Sequence, residues 1–158
     1  MKEKTTNELD EELRGLRTDE LDKYYRNNKE YMADGKKAFS YYVKDIIDSK
    51  NLEDKAHRIF YKDIYSLAGV SESYGRQVLN MEKHTKNRDL IIRLLIAARF
   101  TLDQLNRALK LYGMPALYSK DKRDACIMLA VNRRKYALFE IDDMLEQQGL
   151  KKLSAEEK

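Results

Sequence analysis

Apolar positions along the chain recur at three- and four-residue steps, the period of a helix packed on one side. Phe39, Tyr42, Val43, Ile46 and Ile47 share one face and predict an amphipathic helix over Lys36–Ser49. A polar break, Asn51–Lys55, leads to a helix predicted over His57–Ala68, with Ile59, Phe60, Ile64, Leu67 and Ala68 inward. Gly69 ends it, because glycine accepts the left-handed conformation that closes a helix. Ser71 can cap the next, predicted over Glu72–Asn80. Asn87–Phe100 is strongly apolar, and Thr101-Leu102-Asp103-Gln104 has the spacing of a capping box opening a helix to about Tyr112. Gly113-Met114-Pro115 closes that helix. Ser119–Asn132 and Ala137–Gln148 are the last helices, with Gly149 as a closing residue. Ahead of all these, Leu9, Leu13, Leu16 and Leu21 mark a helical stretch over Thr6–Asn27. It is split near Gly15 and Thr18-Asp19, with Thr18 as a cap, and Asn27–Gly35 follows as a connector. No alternating β-branched run reads as a strand, so the fold class is all-α.

Composition agrees with this pattern. One proline and six glycines in 158 residues leave few helix breakers. The formal net charge is +4, which permits nucleic-acid binding without requiring it. Its distribution is more informative. Met1–Asp34 holds seven Lys/Arg and ten Asp/Glu, 7 − 10 = −3, whereas Lys50–Arg99 holds ten and six, 10 − 6 = +4. The basic surplus lies mid-chain.

Several function classes find no support. Cys126 is a lone cysteine in an apolar helical run, which excludes an internal disulfide and reads as a packed thiol. His57, His84 and Cys126 are too scattered for a metal site, so no metal and no cofactor are expected. No nucleophile–base set, P-loop or dinucleotide fingerprint is present, and Arg123-Asp124 lacks the rest of a kinase catalytic loop, so the chain does not read as an enzyme. The tyrosines fall on helices as packing residues and form no stacking platform for single strands. No apolar stretch is long enough for a membrane span, and the charged N-terminus lacks a signal-peptide core. The cytoplasm is the expected location.

The informative stretch is Lys62–Lys83. A short helix, the turn Ala68-Gly69-Val70-Ser71 and a second short helix follow one another. Ala68 permits a close crossing, Gly69 the sharp turn, and Val70 plugs the space between the helices. Glu72, Ser73, Tyr74, Arg76 and Gln77 then stand near the start of the second helix. When such a helix enters a major groove, its N-terminal residues meet base edges, and Gln pairs with adenine as Arg does with guanine. Lys62, Ser71, Lys83, Lys86 and Arg88 are placed to meet phosphates.

Carried by that turn and by Arg88-Asp89-Leu90, residues 37–112 resemble the lambda-repressor-like (Cro/cI-type, XRE) helix-turn-helix family. The resemblance implies a five-helix DNA-binding unit with its recognition helix over Ser71–Asn80. Further runs, among them Leu109-Lys110-Leu111-Tyr112-Gly113, Lys122-Arg123-Asp124-Ala125 and Leu145-Glu146-Gln147-Gln148-Gly149-Leu150, are similar to bacterial XRE-type regulators with a helical C-terminal extension. Two departures stand out: Met81 where that family carries glycine, and Thr85-Lys86-Asn87 where proline often precedes the Arg-Asp pair. Gly75 inside the second helix costs about 1 kcal/mol relative to alanine.

The organisation expected is an acidic helical arm over 1–34, the DNA-binding domain over 35–112, a helical extension over 113–153 and a disordered tail over 154–158. The expected function is a sequence-specific regulator binding double-stranded DNA as a homodimer, with the terminal helices available for the dimer or a protein partner. The alternative is an adaptor or anti-repressor built on the same fold without DNA binding.

Overall fold

The computed structural model describes residues 4–32 and 35–154. The fold is all-α: among the described residues there are nine α-helices and no strand. None is long and apolar enough to cross a membrane.

Helices α1 (Thr6–Arg14) and α2 (Leu21–Asn27) form the N-terminal arm, separated by a 3-10 turn at Thr18–Glu20. Thr18 opens that turn rather than capping it; the Glu20 carboxylate accepts from the Arg17 amide at 3.2 Å. Asn28, fully buried, fastens the arm: its amide donates to Glu12 and to the Tyr24 carbonyl, and its Oδ1 accepts from Lys4 at 2.7 Å. The connector predicted over Asn27–Gly35 contains a 3-10 turn at Lys29–Tyr31, and its residues 33–34 lie outside the described chain.

Helix α3 (Ala38–Glu53) runs four residues past its predicted end and carries Phe39, Val43 and Ile47 into the core. Helix α4 (Tyr61–Ala68) begins four residues later than predicted. Side-chain chemistry explains the delay. The Asn51 side chain grips Ile59 twice, accepting from its amide at 2.7 Å and donating to its carbonyl at 3.0 Å. Asp54 caps a separate 3-10 turn at Lys55–His57. Both groups hold the backbone of 54–60 out of a helix. The inward set shifts accordingly: Phe60 is 47% and Leu67 58% exposed, and Tyr65 is buried instead.

Helices α5 (Glu72–Leu79), α6 (Arg88–Ala97), α7 (Leu102–Leu111), α8 (Lys122–Asn132) and α9 (Leu138–Gln147) follow. Side-chain caps at Ser71, Asn87, Thr101 and Asp121 start four of them, and Thr101 and Gln104 form the predicted reciprocal box. From α4 to α9 each helix ends the same way. A left-handed residue donates its amide three back, and the next amide reaches five back, as in Phe100 to Leu95 and Lys135 to Ala130. Glycine fills the left-handed position after α4, α7 and α9; Met81, Arg99 and Arg134 fill it after α5, α6 and α8. A side chain there costs roughly 1 kcal/mol that glycine avoids. Arg134 is exposed, so Arg134→Gly is expected to raise stability by roughly 0.5–1 kcal/mol, a gain of about 2–4 °C per kcal/mol in thermal melts. An unchanged or lower melting temperature would refute the strain argument.

One apolar cluster runs from Phe39 to Leu153. Ile127, Ala130, Val131, Ile141 and Leu145 of α8 and α9 belong to it, so the core continues across residue 112 without a break. Two crossed ion pairs bind the starts of α6 and α8: Arg88 to Asp124 at 2.9 Å, and Arg123 to Asp89 at 2.9 Å. The segment after α9 folds back over this joint. Leu153 is fully buried, and Arg123 donates to the carbonyls of Lys151 and Lys152. Arg93 donates to the Leu153 carbonyl, and Asp142 accepts from the amides of Leu153 and Ser154 and from the Ser154 hydroxyl. Ser154 is thus part of the ordered fold, and the rest of the predicted tail, 155–158, lies outside the described residues.

Candidate nucleic-acid interface

Helices α4 and α5 meet across Gly69-Val70-Ser71. Gly69 is left-handed at φ 76°, and Ser71 accepts from the Tyr74 amide at 3.2 Å to start α5. The carbonyl of Ala68 is not left open: Arg93 of α6 donates to it at 2.9 Å. That guanidinium ties the turn to the Leu153 segment as well, a role sequence spacing alone gives no sign of.

The inner face of α5 is Gly75, Val78 and Leu79, all buried. Gly75 is a requirement here, and its helix-propensity cost is the smaller effect. A Cβ at this position would fall on the Tyr65 ring of α4, 2.9 Å from Cγ and nearer still to Cδ1. The ring is buried and has little room to yield. Gly75→Ala is therefore expected to destabilise by about 1–3 kcal/mol despite the better helix former. Chemical denaturation measures this, and a neutral or stabilised variant would show that the two helices separate freely.

The opposite face carries the predicted base-reading set. Glu72, Ser73 and Arg76 are exposed, and Gln77 is half-buried. Tyr74 is half-buried and packs against the core beside Tyr112, so part of its ring is committed to packing. Among the phosphate candidates, Lys62, Lys83, Lys86 and Ser71 are exposed. Arg88 is not available for that role. Its guanidinium makes four hydrogen bonds, two to Asp124 and one each to the carbonyls of Pro115 and Ala116. Its neighbour in the predicted motif, Asp89, is equally occupied by Arg123. The Arg88-Asp89 pair is structural.

The loop after α5 is better fixed than its departures suggest. Met81 stands where the resembled family carries glycine, yet its backbone takes the left-handed conformation, φ 60°. The Gln77 carbonyl accepts from the amides of Glu82 at 2.8 Å and Lys83 at 3.1 Å. Tyr112 of the α7 terminus holds the far end. Its hydroxyl accepts from the Thr85 amide at 2.8 Å, and His84 stacks on its ring at 4.7 Å. Burial raises the Tyr112 pKa, the Thr85 hydrogen bond opposes this, and the nearby Tyr74 adds to it. Lys83 and Lys86 thus project from a loop anchored at both ends.

Among the described residues no group of His, Cys, Asp and Glu is arranged to hold a metal ion. No protein-family model, curated protein or solved structure matches the chain.

Proposed function

We propose that the chain is a sequence-specific double-stranded-DNA-binding regulator of the lambda-repressor-like kind. In this reading α4 and α5 are the helix-turn-helix. What supports it above all is the exposed polar start of α5: Glu72, Ser73 and Arg76, with Gln77 beside them, presented across a tight, capped turn from α4. Lys62, Lys83 and Lys86 flank that face, and no ion pair occupies them among the described residues. Such lysines serve phosphates, and three of them per protomer correspond to a salt slope of about −3 in a log–log plot. A dimer on half-sites about one helical turn apart is the usual arrangement for this docking mode.

The test is selection from a random duplex pool with two variants. Gln77→Ala is expected to relax base preference at one position. Lys86→Ala is expected to weaken all sequences about equally and reduce the salt slope by about 1 per protomer. Unchanged preference in Gln77→Ala would mean that α5 does not read bases. The rival reading, a protein-interaction module, draws on the exposed Leu67 of α4 and Phe60 just ahead of it. It predicts no DNA binding even at low salt.

A further inference from the structure

Two of the three left-handed side-chain residues, Arg99 at φ 62° and Arg134 at φ 56°, line the same open cavity of about 410 Å³. The Arg134 side chain closes no hydrogen bond or ion pair among the described residues that would favour it over glycine, and residues held in unfavourable backbone conformations cluster where side chains meet ligands. Lys50, from the last turns of α3, enters the same cavity. Its ammonium is half-buried and closes no hydrogen bond or ion pair among the described residues. Burial depresses its pKa, Glu53 opposes this, and the like charges of Arg134 and Arg99 add to the depression. Three cations thus converge on one space without a bonded counter-charge. Thr101, at the positive start of α7, borders it too.

We infer that this cavity binds a small phosphorylated ligand, of the sugar-phosphate or nucleotide type. A phosphate relieves the mutual repulsion of Lys50, Arg99 and Arg134 and accepts the forked donors that arginine presents. The carboxylates narrow the class. Asp54 is taken up by His57, accepting its amide at 3.2 Å and facing its Nδ1 at 2.9 Å. Glu53 remains as an acceptor on the cavity wall, suited to a ligand hydroxyl or amino group. The volume falls in the range of small-ligand sites. None of these residues belongs to the DNA-reading set. The walls come from α3, the segment ahead of α4, and the α6–α7 and α8–α9 junctions. Arg99 already donates to the His57 carbonyl at 3.1 Å, so a ligand here draws together the C-terminal helices and the chain leading into α4.

Calorimetric titration of the full chain with glucose 6-phosphate and ADP, with glucose as the uncharged control, tests the assignment. One site per chain is expected for at least one phosphorylated probe and none for glucose. Lys50→Gln and Arg134→Gly are each expected to weaken that binding at least about tenfold, the worth of one charge-assisted hydrogen bond. Arg134→Gly is also the variant expected to melt higher, so its loss of affinity cannot be laid to unfolding. Absence of saturable binding by both phosphorylated probes at millimolar concentration overturns the inference, as does equal binding by wild type and variants. DNA phosphate shares the chemistry, so a duplex is titrated in parallel. Variants that lose DNA affinity while the small probes fail to bind would make the cavity a backbone contact and also overturn it.

Discussion

Asp124→Ala is expected to lower the unfolding free energy by about 3 kcal/mol, a fall of roughly 6–12 °C in melting temperature for a chain of this size. The carboxylate accepts from Arg88 Nη1 at 2.9 Å and Nη2 at 3.0 Å and from the Tyr118 amide at 3.0 Å. Its side chain is 9% exposed and that of Arg88 25%. Removing it takes two of the four hydrogen bonds and the counter-charge from the Arg88 guanidinium and leaves the Tyr118 amide unpaired, and partners left behind in this way cost more than the pair itself contributes. Burial alone would raise the Asp124 pKa, but the hydrogen bonds from Arg88 and Tyr118 and the charges of Arg88 and Arg123 outweigh it and hold it low. The sign follows. A carboxyl with a depressed folded-state pKa stabilises fully above its ordinary value of 3.8 and loses that contribution as pH falls through the lower folded value. The gap between wild type and Asp124→Ala in urea denaturation is therefore expected to be widest near neutrality and to shrink below about pH 4. Equal midpoints at pH 7 would refute the role given to the pair.

A chain ended after Leu150 is expected to lose at least as much, about 4 kcal/mol. It lacks Leu153, whose burial is complete, and Leu→Ala at such a site alone costs about 2–5 kcal/mol. It also deprives Arg93 and Arg123 of three carbonyl acceptors and leaves buried Asp142 without its donors. Because Arg93 also holds the Ala68 carbonyl, exchange of the amides around Gly69 is expected to quicken in the shortened chain. A melting temperature within about 2 °C of the full chain, less than the shift for 1 kcal/mol, would show that the segment contributes little.

Local chemistry was legible. Gly69, Ser71, the Thr101–Gln104 box and Gly113 act within four residues of themselves, and a sequence displays such signals directly. The late start of α4 was not, because it depends on Asn51 reaching across eight residues to Ile59. Arg99 hid the end of α6, predicted at Phe100 and found at Ala97, because it fills a position usually marked by glycine. That the Arg88 guanidinium is taken up within the fold was illegible for a similar reason. On sequence Arg88 is a basic residue soon after α5; its partner Asp124 lies thirty-six residues away. Arg93 and Asp142 carry no local signature, since what they hold, Ala68 and Leu153, is identified by packing alone.

The crossed ion pairs also act as a key. Arg88-Asp89 faces Arg123-Asp124 in opposite order, so the correct seating matches each charge with its opposite. Slide one helix start past the other by a single residue and arginine meets arginine, or aspartate meets aspartate. Like charges set together at a poorly hydrated joint cost several kcal/mol. Apolar side chains on α8 and α9 would tolerate several docking positions against the core; these four residues admit one.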